Sequence, residues 1–474
     1  MHLDKMLLAV LTCARDLLKV PVSCAALHRG FGCESTSEKR NKKKFWFSGG
    51  EAVSLEERLA YTVTPLWRLS YEEQLQWKQE QQHKILIQMT NHLEQDSSLK
   101  SSKGELAFPV LPIVPSPVQN GYRNKSTFSI NKGVDGNPKT VGFYIGTGKG
   151  RNIVCIHGDH LLNIPSKHKL VGRSYEDFIR TSPLQPCLLF NDGGHWREIT
   201  VRTNSAGNTM AIVYFHPQNL SPNEIDVHKE SLVEYFQKGP GTVCQLDSLY
   251  FQESTMTRCS HKDSPYQLLY GEPHIYEEIF GLKFRISADA FFQVNRAAAE
   301  ALYMTVGDLS KANEQGTLLD VCCGIGAIGI TLSSRLKKVI GIELIEQAVE
   351  DAKYNAALNG IQNCEFLSGK AEVVLPNLIA TMHYEEALTA VVNPSRAGLH
   401  YRVIRALRNN PNLQRLIYIS CKPEGEAMRN FKELCGKTDL KRKLTGKAFT
   451  PRIAVPVDMF PHTPHCELVL VLER

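Results

Sequence analysis

A thiol, two carboxylates and two amides fall where an α/β chain places its chemistry. The reference point is the stretch DVCCGIGAIGI, residues 320–330, which closes the apolar run TLLDV and leads into ITLSSRL. Strand, glycine turn and helix start together hold nucleotide-like ligands. Gly324 and Gly326 let the backbone come close, and the free N–H groups of the helix start face the ligand. The next apolar run, KKVIGIEL, ends in Glu343, a carboxylate able to accept both hydroxyls of a ribose. Gly324, Gly326 and Gly329 equally fit the GxGxxG pattern of a dinucleotide site, so the turn alone leaves the ligand open. Beyond it, Asn393 follows the strand LTAVV, Cys421 follows RLIYIS, and Glu467 stands at the turn before the last strand. Ligands of open α/β sheets lie outside the carboxyl ends of the strands. A nucleophile, a carboxylate and an amide are therefore expected to converge on one ligand. Gln293, in ADAFFQVN, is expected to meet the same ligand from the far side, because a buried amide needs polar partners.

The elements that must carry these residues follow from periodicity. From residue 318 the pattern alternates βαβα, which predicts a doubly wound parallel sheet. The tail, residues 447–474, adds two strands expected to be antiparallel. Residues 122–260 read mostly as short strands: YRNKSTFSI, TVGFYI, NIVCI, EITVRTN and MAIVYF. Their basic residues Arg123, Lys125, Lys132, Lys149 and Arg151 are candidates for an RNA surface, with Tyr122 or Phe128 for stacking. Further upstream, 55–69 and 71–93 have helical spacing, with Leu75, Ile85, Met89 and Leu93 as one packing stripe. SSLKSSKGE, residues 97–105, reads as a linker. The chain divides into a targeting segment (1–50), a helical region and linker (51–104), a central α+β, mostly antiparallel region (105–285), and a catalytic domain (286–474).

A chain of 474 residues is too long for one core and, at 42% hydrophobic and 22% charged, reads as globular. The formal charge of +6 is unevenly placed. Residues 1–50 hold nine Lys/Arg and four Asp/Glu, against 46 and 45 in the remainder. A strongly basic nucleic-acid-binding body is therefore excluded, and any RNA affinity rests on local patches such as Lys437, Lys441, Arg442, Lys443 and Lys447. The apolar, acid-poor N-terminus followed by KRNKKK fits a mitochondrial transit peptide, and its longest apolar run is too short to span a membrane. The thirteen cysteines include no CxxC pair, and nothing has zinc or iron–sulfur spacing, so reduced thiols and no metal are expected. His157 and His160 in HGDH read as a polar turn.

Six blocks in order, YRNKSTF, FRISADAFFQVN, DVCCGIGAIGI, VVNPSRAGL, YISCKP and HCE, make the sequence similar to the RNA uracil-5-methyltransferase family. The resemblance runs from about residue 115 to the C-terminus. It implies a Rossmann-like class I methyltransferase domain, S-adenosyl-L-methionine as cofactor, and an RNA substrate. By that resemblance Gln293, Glu343 and Asn393 are cofactor ligands, Gly324 and Gly326 shape the cofactor loop, Cys421 is the nucleophile and Glu467 the base. The chain departs from the family at Asn393, where an acidic residue is usual, at Ser395 in place of a second Pro, and at CKP in place of CNP. An Asn still hydrogen-bonds, so cofactor binding is expected to survive. The implied reaction is formation of 5-methyluridine in mitochondrial RNA, a tRNA T-loop or small-subunit rRNA, by a matrix protein expected to be monomeric. The chemistry explains the residue types: a thiolate on carbon 6 makes carbon 5 nucleophilic, and a base then removes the carbon-5 proton. Loop activation of the thiol is expected from helix N-terminal amides or Lys422. The rival readings are an amino-group methyltransferase, argued against by Arg396 where an aromatic is needed, and an RNA-binding or folding protein with a relaxed site, motivated by Asn393. A nicotinamide oxidoreductase leaves Cys421 and Glu467 without roles.

Overall fold

The computed structural model describes residues 53–96, 105–146, 153–188, 193–255, 264–382 and 388–474. The targeting segment, most of the linker, Lys149 and Arg151 lie outside the described residues.

Helix α1 (Leu55–Val63) starts on a capping box. Ser54 Oγ accepts from Glu57 N, and the Glu57 carboxylate accepts from Ser54 N. Helix α2 (Tyr71–Asp96) follows. The expected stripe is corrected in register: Met89 and Leu93 are buried, Leu86 takes the place of Ile85, and Leu75 is half-buried. The buried row continues through Gln82, Lys78 and Gln74. Steps of four residues line these up on one face. Its C-terminal half packs on apolar residues of a sheet, and its N-terminal half meets a polar connection described below.

The central region forms a seven-stranded sheet in the order β3-β2-β1-β4-β5-β6-β7. Its strands are β1 (Lys125–Asn131), β2 (Thr140–Ile145), β3 (Val154–Ile156), β4 (Trp196–Thr203), β5 (Thr209–Phe215), β6 (Ser248–Glu253) and β7 (Tyr266–Gly271). Every neighbouring pair is antiparallel except β5 and β6. Two helices the sequence reading did not place, α3 (Ser166–Thr181) and α4 (Pro222–Gln237), interrupt the strands. Helix α3 was obscured because His168, Gly172, Ser174 and Glu176 share its buried positions with Val171, Tyr175 and Phe178, which dilutes the apolar period. Helix α4 supplies the crossover that the parallel β5–β6 pair requires. The hairpin β8 (Ile275–Ile279) and β9 (Leu282–Ile286) then leads through residues 287–295 into α5 (Arg296–Ser310), capped by the Asn295 side chain.

The second seven-stranded sheet is the doubly wound one expected. Its order is β12-β11-β10-β13-β14-β16-β15. The chain runs β10 (Thr317–Val321), α6 (Ala327–Leu332), β11 (Lys338–Glu343), α7 (Glu346–Leu358), β12 (Cys364–Ser368), α8 (Ala371–Thr381), β13 (Leu388–Val392), α9 (Tyr401–Asn409), β14 (Leu413–Ser420), α10 (Glu426–Cys435), β15 (Thr450–Val457) and β16 (Glu467–Glu473). Neighbours from β12 to β14 are parallel, and β16 is antiparallel to both β14 and β15. Strand order reverses beside β10, so a crevice opens between the ends of β10 and β13. Helices α5, α6 and α7 cover one face, and α2, α8, α9 and α10 the other. Residues 54–474 close into one unit.

Candidate active site

The crevice is built first by the glycine turn. After β10 the chain passes through Cys322 and Gly324, both at positive φ, to Gly326, which caps α6 at φ +80. A Cβ on Gly326 would sit 2.8 Å from the Phe366 ring, so this position needs glycine for both backbone and space. Glu343, ending β11, is held by three amides: Oε2 accepts from Gly324 N at 3.0 Å, and Oε1 from Leu344 N at 2.8 Å and Ile345 N at 3.0 Å. Each carboxylate oxygen keeps accepting capacity. The carboxylate is thus fixed in direction and still open to a hydroxyl. Asp320 lies wholly buried beneath the turn, with Oδ2 accepting from Gly329 N at 3.0 Å. Burial, then the Glu343 charge, pushes its carboxyl up to about 7.

Opposite the turn, the backbone carbonyl of Gln293 accepts from Asn124 Nδ2 at 2.8 Å, which ties the residue 287–295 loop to the central region. Asn393 N donates to Val321 O at 3.2 Å, joining the end of β13 to the turn. Gln293, Gly324, Glu343, Asn393, Cys421 and Glu467 all line one cleft of about 1150 Å³. Gly326 lies below the cleft wall and acts as the helix cap. A cavity of that size holds a nucleoside and a second base side by side.

Cys421 and Glu467 come together through strand register. Strands β14 and β16 pair Ile419 with Val469 and Ser420 with Leu468. Cys421 follows directly on Ser420, and Glu467 directly precedes Leu468 as the first residue of β16 rather than part of the turn before it, so both stand at the same end of the paired strands. Alternation along β16 turns Glu467 to the same face as Val469 and Val471, the one covered by α5. Glu467 is 5% exposed, and among the described residues its Oε2 finds no hydrogen-bond partner. Burial pushes its carboxyl up to about 7, with Arg396 pulling the other way. The Cys421 thiol is raised by burial and then by the Glu467 charge, while the Arg396 guanidinium acts to lower it.

Arg396 is thus the cation that acts to lower the thiol, although burial and Glu467 leave it raised. Lys422 is exposed, and α10 begins only at Glu426. Nothing in the spacing of NPSRAG and YISCKP signalled this pairing, because 25 residues and a helix separate the two positions. Of the basic residues proposed for RNA, Arg123 and Lys125 line the cleft itself. Burial, followed by the charges of Arg202 and Arg123, drives Lys125 down to about 7. Tyr303, Phe291 and His465 also line the cleft, and Phe291 is 69% exposed. His157 Nε2 donates to the Glu176 carboxylate at 2.7 Å, a structural contact, and no metal-binding cluster exists among the described residues. No helix among them is long and apolar enough to cross a membrane.

The tRNA (uracil-5-)-methyltransferase family model matches residues 279–474. The chain is 71% identical over 422 residues to tRNA (uracil-5-)-methyltransferase homolog B of Danio rerio, covering 89% of this chain and 88% of that protein. It is 56% identical over 442 residues to the Homo sapiens homolog B, covering 92% and 88%. Among solved structures, the Pyrococcus abyssi tRNA (uracil-54, C5)-methyltransferase in complex with S-adenosyl-L-homocysteine aligns with a TM-score of 0.61 at 25% identity, covering 86% of this chain and 84% of that one.

Proposed function

This chain belongs to the tRNA (uracil-5-)-methyltransferase family, and from that premise we propose that it methylates carbon 5 of a uridine in mitochondrial RNA through a transient bond between Cys421 and the base. It is an S-adenosyl-L-methionine-dependent enzyme acting on tRNA. The finer target is a T-loop uridine or one in small-subunit rRNA. The observation that carries the proposal is that Cys421 and Glu467, at the same end of the β14–β16 pair, line the cleft that also holds the glycine turn.

The residues fit the cofactor. The positive-φ turn opens on the cleft, and the amide-fixed Glu343 carboxylate stands where a ribose would be gripped. Asn393 and Gln293 line the same cleft as that carboxylate and Cys421. Bound there, the cofactor supplies an electrophilic methyl group on a positively charged sulfur. The protein's part is as follows. Cys421, as thiolate, adds to carbon 6 of the uracil, and the ring becomes enolate-like at carbon 5. Carbon 5 takes the methyl group. Glu467 then removes the proton from carbon 5, and the ring electrons expel the Cys421 thiolate, restoring the aromatic-like uracil. Arg396 supports the thiolate against burial. A carboxylate held near neutrality by burial suits the proton step at physiological pH.

The uridine must leave its stack to reach this depth, at roughly a few kcal/mol. A loop uridine is the least costly target. Arg123 and Lys125 at the cleft wall offer phosphate contacts there. Transfer of labelled methyl from S-adenosyl-L-methionine to transcribed mitochondrial tRNA and rRNA, with Cys421→Ala as control, tests the reading. Methylation that survives Cys421→Ala would exclude the covalent route. RNA binding with no transfer by the unaltered protein would favour the relaxed-site reading that Asn393 motivates. The mitochondrial address rests on the basic, acid-poor first fifty residues. Import of the tagged full chain into isolated mitochondria tests it, and a protein left outside the organelle would refute it.

A further inference from the structure

The connection between β15 and β16 ends on Glu467, and the turn after α1, helix α2 and the strap at residues 114–122 bond to it at several points. Asp458 is its anchor. Oδ1 receives Lys78 Nζ at 2.5 Å and Phe460 N at 3.1 Å, Oδ2 receives the Tyr71 hydroxyl at 3.0 Å, and Asp458 N donates to Val114 O at 2.8 Å. Both side chains of the Lys78–Asp458 pair are fully buried. Lys78 Nζ also donates to Phe460 O at 3.0 Å, and Ser116 N donates to the Tyr71 hydroxyl at 2.7 Å. Two residues on, His462 is held by Gln74: the His462 N–H donates to Gln74 Oε1 at 2.7 Å, and Gln74 Nε2 meets His462 Nδ1 at 3.2 Å. Leu66 N donates to His462 O at 2.9 Å. Between and after these anchors, Phe460, Thr463, His465 and Glu467 face the cleft.

A buried ion pair is a poor way to gain stability, because well-packed apolar residues of similar volume do as well or better. What it supplies is a fixed position. Each bond above is directional, and together they set where the 458–466 connection lies and so where β16 begins. We propose that Lys78, with Tyr71 and Asp458, is a positioning residue for the proton-abstraction step, holding Glu467 at carbon 5 of the bound uracil. The inference rests on the reading of Cys421 and Glu467 given above. On this view α2 belongs to the catalytic apparatus of a domain that starts some two hundred residues later in the chain.

The proposal separates two steps that ordinary loss of structure would lower together. Addition of Cys421 to carbon 6 and methyl transfer precede the action of Glu467, and removal of the carbon-5 proton follows. Tyr71→Phe and the paired Lys78→Met/Asp458→Met variant are compared with the unaltered full-length protein. Trapping on 5-fluorouridine RNA reads the first part, because fluorine cannot leave as a proton does. The denaturation-resistant protein–RNA complex that builds up on ordinary uridine RNA reads the second, and thermal melting reports folding. The expected result is trapping within about twofold of the unaltered protein, turnover lowered roughly tenfold or more, and accumulation of the covalent complex on uridine RNA. Tyr71→Phe carries the test if the paired variant does not fold. Folded variants that turn over normally would overturn the proposal, as would trapping that falls in step with turnover. If the unaltered protein traps no 5-fluorouridine RNA, the reading of Cys421 has failed, and the inference falls with it.

Discussion

Cys421 follows directly on the strand that ends at Ser420, and Glu467 opens the strand whose Leu468 pairs with that serine, so the two stand at the same end of the β14–β16 pair. Both line one cleft, and the Glu467 charge acts on the Cys421 thiol, so the two side chains address the same bound base. Glu467→Gln keeps the shape and removes the base. The expected outcome is normal trapping of 5-fluorouridine RNA, turnover lowered roughly a hundredfold or more, and a covalent complex that persists on uridine RNA. Denaturing gel electrophoresis of the protein–RNA mixture reads it. A Glu467→Gln protein that turns over at the unaltered rate would remove the base from the mechanism.

Arg396 acts on the Cys421 thiol against burial and the Glu467 charge. An opposite charge at short range favours the ionised form of a titrating group. Arg396→Met should therefore slow iodoacetamide alkylation of Cys421 at pH 8 by roughly tenfold, followed by mass spectrometry of the Cys421 peptide. Substitution at Lys422, which is exposed, should leave that rate nearly unchanged. Equal effects at the two positions would contradict the assignment.

The buried Glu467 carboxyl makes a pH signature with a definite sign. Its folded value of about 7 lies above the ordinary 4.5. Between those values the folded chain keeps a proton that the unfolded chain has released. Its contribution to stability is thus full below about pH 4.5 and lost as pH rises toward 7. Glu467→Gln escapes that loss. Relative to the unaltered protein it should gain little at pH 4.5 and up to about 3 kcal/mol at pH 8. Urea unfolding at both pH values measures the difference. Asp320 contributes the same slope to both proteins, so the comparison isolates Glu467. Turnover should rise with pH toward 7 as Glu467 becomes able to accept the carbon-5 proton.

Lys437, Lys441, Lys443 and Lys447 are exposed on the connection between α10 and β15, whereas Arg442 is engaged with Glu433 at 2.7 Å. If these lysines meet phosphates, replacing all four by Gln should make the dependence of log affinity on log salt shallower by up to about 3. Filter binding of a tRNA transcript across a salt series measures it. An unchanged slope would move the phosphate contacts elsewhere, with Arg123 and Lys125 at the cleft wall the next candidates.

Gly326→Ala isolates the cofactor turn. The added methyl meets the Phe366 ring in a backbone conformation at φ +80, so a loss of roughly 1–3 kcal/mol in stability and weaker S-adenosyl-L-methionine binding are expected. Gly324 has open space at its Cβ, so Gly324→Ala should suffer from backbone strain alone and lose less. Calorimetric titration with the cofactor compares the two.

Much of this molecule is local, and what is local was legible. Periodicity marks strands and helices residue by residue, and the carboxyl-end rule then places Glu343, Asn393 and Cys421 at one rim before any packing is known. Local patterns do not say which distant elements touch. Helix α2 was readable as a helix, but its buried Lys78 had no visible partner, because Asp458 lies 380 residues away. Arg396 was read only as a residue that is not aromatic, and its place beside Cys421 depends on how two loops fold over one crevice. Arg123 and Lys125 were recognised as basic, but their burial in the cleft follows from the docking of the central sheet. The sequence alone determined the kinds of groups and the rim on which they stand. The tertiary structure decided their charges and neighbours, because desolvation and Coulomb interactions depend on distance through space and not along the chain.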